Sequence, residues 1–141
     1  MSNGSFSAGL RSWPELVAKR HRDTKRGTAI KLFTAVIKDS PVDTGRLRSN
    51  WQTSLDRPDY SSSNVSTTEG AAIAEMTGKV LSLDGKEDLF MVNSLPYVYR
   101  IEHEGWSHTK APLGMVYKNA LRFRELLKKQ LNQLKRQGGA L

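Results

Sequence analysis

The chain has 141 residues, 38% of them hydrophobic, no cysteine, and a formal net charge of +8. That length suits one domain with a real core, and the low apolar share suggests extended elements or surfaces completed by partner subunits. The missing cysteine excludes disulfides and thiolate metal sites and suits a reducing cytoplasm, and no run approaches the ~20 apolar residues of a membrane span.

Residues 1–12 have neither the basic start nor the apolar core of a signal peptide and read as a flexible arm. Ser12-Trp13-Pro14-Glu15 combines a serine, an early proline and a glutamate three residues on, a capping box that predicts a long helix from about Trp13 to Asp39. Its apolar stripe is dense at Ile30, Phe33, Val36 and Ile37. Earlier it holds only Leu16 and Val17, ahead of Lys19-Arg20-His21-Arg22. Gly27 weakens the middle by up to ~1 kcal/mol relative to alanine. The core-bound half is therefore placed after Gly27, and the first half is expected to project from the globule.

Next comes Ser40-Pro41-Val42-Asp43-Thr44-Gly45-Arg46-Leu47-Arg48, a hinge. Pro41 pushes its predecessor out of the α region. Asp43 and Thr44 are suited to accept the free N–H groups of a new helical turn, with Gly45 folding tightly beside them. Arg46 and Arg48 leave that turn as exposed cations.

Ser49 to Leu55 alternates around Trp51 and predicts a strand, and the breaker-rich 57–64 predicts a loop. Thr67 or Thr68 caps a short helix with apolar positions Ala72, Ile73, Met76 and Val80, its end left open by Gly78. Asp84-Gly85 is a turn signal, and Leu89 to Asn93 reads as a buried strand. Pro96 opens a short helix from Tyr97 to Glu104, ended by Gly105.

Val116, Ala120, Phe123, Leu127, Leu131 and Leu134 fall on one face of a final helix from about Leu113 to Gln137, and 138–141 form a flexible tail. The order helix, strand, helix, strand, helix, helix predicts an α+β fold. A small antiparallel sheet packs against a long N-terminal and a long C-terminal helix, in one domain over 13–137.

Candidate chemistry is sparse. Glu102, His103, Glu104 and His108 lie within seven residues, but the carboxylates of one helical turn point to different sides, so a solvated helix end is the expectation. Asp43 has no His or Ser constellation that would make it a general base. Trp51 is expected in the core. Trp13 and Trp106, beside loop signals, suit a subunit interface better than a stacking platform for nucleic acid. Arg46 and Arg48 suit either a solvated turn or bidentate pairing with a neighbour's carboxylates, with Tyr97 and Tyr99 closing the same contact.

Charge is concentrated at the ends. Between Arg11 and Lys38 stand eight Lys/Arg against Glu15 and Asp23, and between Lys118 and Arg136 seven against Glu125 alone. Such ends suit nucleic acid or an acidic protein surface, or are solvated helix faces.

Two blocks carry a resemblance. The first is Ser40 to Trp51. The second is Asn93-Ser94-Leu95-Pro96-Tyr97 running through Glu102-His103-Glu104-Gly105 to Ala111-Pro112-Leu113-Gly114-Met115-Val116. In order and spacing they resemble the tail-completion, or neck, proteins of tailed bacteriophages, and with their flanking helices they cover most of 13–135. The chain departs from that pattern at Tyr99 and Arg100, and in the long serine-rich stretch Asp56 to Thr68.

The resemblance implies a non-enzymatic virion protein at the head–tail junction, made in the bacterial host cytoplasm, with no cofactor and no metal. It implies a homo-oligomeric ring around the DNA channel, six-fold as the family expectation and twelve-fold as the variant. Its neighbours would be portal or adaptor and tail-terminator or tail-tube proteins. DNA would pass without sequence-specific recognition, and no membrane is involved.

Candidate interface residues are Trp13, Arg20, Arg22, Asp43, Thr44, Arg46, Arg48, Tyr97, Tyr99 and Trp106. Lys19, Arg20, Arg22, Lys25 and Arg26 are expected to face an acidic protein neighbour, because a dense ring of cations in the lumen would hold the phosphates. The alternative reading is a small basic nucleic-acid-binding protein.

Overall fold

A computed structural model of the protein describes residues 3–42, 45–105, 111 and 113–138, with side chains from residue 13 to 137. Its elements are α1 (Asn3–Asp39), α2 (Arg46–Ser49), β1 (Gln52–Leu55), α3 (Glu69–Leu81), β2 (Leu89–Val92), α4 (Val98–His103), α5 (Tyr117–Ala120) and α6 (Phe123–Gly138). The fold is α+β. Strands β1 and β2 pair antiparallel, Gln52 opposite Val92 and Leu55 opposite Leu89. Helix α3 packs on α1 and β1, and α6 packs on α1.

Two clusters make the core. One gathers Val36, Leu47, Leu95, Ile101, Ala111 and Met115, the other Ile37, Ala72, Met76 and Val80. Trp51 and Met91 pack against both. The Trp51 indole donates to Ser40 Oγ at 2.7 Å, and that hydroxyl donates to the Val36 carbonyl at 2.9 Å. The hinge serine thus ties α1 to the segment before β1.

Several boundaries differ from the sequence expectation. Helix α1 starts at Asn3, not near Trp13, and Pro14 lies inside it. With turns already formed ahead of Ser12, the N–H groups that the capping box would serve are bonded one turn back. Only Pro14 lacks a donor there, and it sits on an exposed stretch. Strand β1 is shorter than expected because Ser49 still belongs to α2. Asn93 leaves β2 to donate from Nδ2 to the Leu47 carbonyl at 2.8 Å.

The expected C-terminal helix is two helices. Asn119 is buried and donates from Nδ2 to Asp39 Oδ2 and to the Met115 carbonyl, each at 2.7 Å. Just beyond it Arg122 N bonds to the Asn119 carbonyl in a tighter turn that separates α5 from α6. The face that α6 buries is offset from the apolar stripe, with Leu127 and Leu134 only half-buried. Leu126 and Gln130 are buried, while Phe123 is 47% exposed and Leu131 41%.

Gly27 explains that choice. A Cβ there would stand 2.1 Å from Gln130 Nε2 and 2.2 Å from its Cδ, so the glycine is the notch that receives the buried amide of α6. Gly27→Ala is expected to destabilise by about 1–2 kcal/mol, because displacing Gln130 outweighs the gain in helix propensity. In a Gln130→Ala background the same change should be neutral or stabilising. Chemical denaturation of the four proteins measures the coupling, and strict additivity would show that the two residues do not meet.

Candidate assembly surface

The two blocks singled out in the sequence meet in space. Leu47 of the first and Leu95, Ile101 and Met115 of the second share one core cluster, and the Asn93 side chain of the second block bonds to the Leu47 backbone carbonyl of the first. Asn93 Oδ1 also accepts from Leu95 N at 3.2 Å, fixing the turn after β2. Asn93 belonged to the quoted motif, but its spacing gave no hint of the partner.

Arg46 and Arg48 are not simply solvated: each guanidinium bonds to a backbone carbonyl of the chain's own loop. Arg48 Nη2 donates to the Thr67 carbonyl at 2.9 Å and Arg46 Nε to the Ser63 carbonyl at 3.4 Å. Ser49 Oγ accepts from Thr67 N at 2.6 Å. Asn50, fully buried, accepts from Ser63 N at 2.8 Å and donates to the Ser63 carbonyl at 3.1 Å. The hinge block is therefore a clamp on the serine-rich segment that precedes α3. Gly45, at φ 82°, sits at the N-terminal end of α2 with no side-chain cap. The capping expected of Asp43 and Thr44 falls on residues outside those described, as does the interface role of Trp106.

The cations of α1 are also partly engaged within the chain. Lys25 Nζ donates to the Glu87 carbonyl, and Arg26 Nε to the Leu83 carbonyl at 2.8 Å. Arg22 packs its Cβ against Gly85, and its Nε lies 3.8 Å from Asp23 Oδ1. Lys19 pairs with Asp23 at 2.8 Å. The stretch of α1 from Arg22 to Arg26 thus rests on the turn between α3 and β2, with backbone carbonyls where acidic side chains of a neighbour were expected. The part that projects is shorter, residues 13–19, all exposed. Arg20 and Arg22 are half-buried.

Glu102 was expected to be a solvated helix end. Instead its carboxylate accepts from Met115 N at 2.7 Å, Val116 N at 2.9 Å and Tyr117 N at 2.8 Å, capping α5 from another helix. Burial raises its carboxyl, and the N–H groups of Tyr117, Val116 and Met115, with the His103 charge, outweigh that and leave it below the ordinary 4.5. A carboxyl lowered in the folded state adds stability that is complete above its unfolded value and lost as pH falls through the folded one. Glu102→Gln is therefore expected to cost about 1–2 kcal/mol near neutral pH. The gap to wild type should shrink below about pH 4.5. Melting curves at both pH values test this, and a pH-independent gap would assign the effect to packing.

Of the other candidates, Tyr97 is half-buried against the first core cluster, whereas Tyr99 is 65% exposed and meets the His103 ring at 4.7 Å. Trp13 is 54% exposed, and Leu16 and Val17 beside it are 42% and 43% exposed. An apolar groove of about 650 Å³ opens between α1, β2 and α6, walled by Leu32, Phe33, Leu89, Phe90, Phe123 and Leu127. A smaller pocket of about 200 Å³, sharing Leu32, Phe33, Leu89 and Phe90, leads on to Val116 and Ala120.

Among the described residues no group of three His, Asp or Glu converges as metal ligands do, and no helix is long and apolar enough to cross a membrane. No family model, curated protein or solved structure matches the chain.

Proposed function

We propose that this protein is a structural subunit of a tailed-bacteriophage virion, a tail-completion or neck protein that forms a ring at the head–tail junction around the DNA channel. The observation that carries the reading is the meeting of the two motif blocks. Residues 40–51 and 93–116, which bear the family resemblance, form one unit through the Asn93–Leu47 bond and a common core. The apolar surface left open on α1 and α6 supports it too, since a ring subunit keeps two unlike patches for its neighbours. The protein acts by binding, with no catalytic step and no cofactor. Its partners are copies of itself, a portal or adaptor ring on one side and a tail-terminator or tail-tube ring on the other. DNA passes through without being read.

Electron microscopy of intact particles, with the chain labelled, tests the reading. Label at the neck, and full heads with free tails when the chain is absent, are the expected results. A chain missing from purified particles would sink it. Tight, salt-sensitive DNA binding by a monomer absent from particles would instead support the small basic nucleic-acid-binding alternative, for which the α6 cations would be the contact.

A further inference from the structure

Two buried polar atoms that find no hydrogen-bond partner among the described residues, Arg48 Nε and Thr53 Oγ1, belong to residues that wall the same small pocket. The pocket has a volume of about 10 Å³ and lies between the α2 turn, β1 and α3. Thr53 is 3% exposed, at the inward position of β1, where valine would give the same branched shape without a hydroxyl. Arg48 Nη2 is bonded to the Thr67 carbonyl, which leaves its Nε–H to be satisfied elsewhere. Burying such groups without a bond is costly, and those that chain atoms do not satisfy are generally bonded to ordered water.

We propose that this pocket binds one ordered water molecule, which accepts from Arg48 Nε–H and bonds to the Thr53 hydroxyl. The space is that of a single water, and the site offers the two or more polar partners that a buried water requires. Glu75 also lines the pocket, so its carboxylate is a third candidate partner, as acceptor of a water proton. The other polar groups of the wall are already occupied. Ser49 Oγ donates to the Gly45 carbonyl at 2.7 Å and accepts from Thr67 N at 2.6 Å, and the Trp51 indole donates to Ser40 Oγ at 2.7 Å. A halide fits less well. It is larger than a water, Lys79 already pairs with Glu75 at 3.3 Å, and an anion would meet the Glu75 carboxylate.

The bound water extends the clamp on the serine-rich segment into the sheet. One N–H of the planar Arg48 fork holds the Thr67 carbonyl and another holds the water, which in turn holds β1 through Thr53. A bridge of this kind is nearly as good as a direct hydrogen bond. The site lies within one subunit, so it stands or falls independently of the ring reading.

High-resolution diffraction from crystals of the full chain tests the site. One density peak within about 2.7–3.2 Å of both Arg48 Nε and Thr53 Oγ1 is the expected result. Thr53→Val should lose the peak, and Thr53→Ser should keep it. In solution, oxygen-17 relaxation dispersion should count one long-lived water fewer in Thr53→Val than in wild type, with Thr53→Ser matching wild type. A pocket without a peak would overturn the proposal, and so would a direct bond between Arg48 Nε and Thr53 Oγ1. A peak that survives Thr53→Val, or equal water counts in that variant and wild type, would overturn it too, because the hydroxyl would not be among the partners. An anomalous bromide peak in the pocket of soaked wild-type crystals would replace the water with an anion. Should Thr53→Val fail to fold, wild type and Thr53→Ser decide the matter, since both must show the peak.

Discussion

Gly114→Ala is expected to lower the melting temperature by roughly 10 °C, the largest effect of any single methyl group added to this chain. Gly114 is buried and has φ 80°, where an L side chain costs about 1–2 kcal/mol. A Cβ there would also lie 2.7 Å from the Glu102 carbonyl oxygen and 2.9 Å from Glu102 Cδ. The oxygen belongs to the α4 backbone and cannot turn aside. The Cδ belongs to the carboxylate that caps α5, so relieving the contact breaks the cap. Strain and overpacking together come to about 3 kcal/mol, a large part of a typical domain's stability. Thermal unfolding followed by circular dichroism measures it. A shift under about 2 °C would mean that α4 and the 111–117 turn are not held together as described.

That turn illustrates what a sequence reveals and what it hides. Local signals were legible. Thr68 caps α3 by accepting from Ala71 N at 3.1 Å, and Ala72, Met76 and Val80 face the core as their spacing implies. Gly85 and Gly105 take the positive φ expected at a turn and a helix end. Each of these depends on neighbours within a few residues. The polar contacts that organise the surface were hidden, because their partners are remote in sequence. Glu102 reaches Met115, and Asn93 reaches Leu47. No spacing rule anticipates such pairs.

The C-terminal helix was misread for a related reason. Periodicity identifies an apolar face but not what will lie opposite it. Here Gly27 offers a notch on α1, and α6 turns Gln130 into it, leaving Phe123 and Leu131 partly in solvent. The α1 cations were likewise assigned to a neighbour because nothing in the sequence says that the 83–87 turn folds back onto them. Of the candidate interface residues, Trp13 and Tyr99 are exposed, whereas Arg46 and Arg48 hold the chain's own loop.

Asn50→Ala tests that clamp and is expected to cost about 2–3 kcal/mol. Asn50 has no exposed surface, and its amide serves three backbone groups at once. Nδ2 donates to the Arg46 carbonyl at 2.7 Å and the Ser63 carbonyl at 3.1 Å, and Oδ1 accepts from Ser63 N at 2.8 Å. Alanine removes all three bonds and leaves a void beside Trp51. Asn50→Asp separates the two effects, since it keeps the volume and the Ser63 N–H acceptor but turns a carboxylate oxygen toward two carbonyls. It should be no more stable than the alanine variant. The segment held by the clamp contains Tyr60, 68% exposed. Loss of about 2 kcal/mol from local closure would raise chymotrypsin cleavage at Tyr60 roughly 30-fold, without global unfolding. Arg57 gives no such readout, because the following Pro58 blocks trypsin. If both variants resist chymotrypsin as wild type does, Arg48 and Ser49 alone hold the loop.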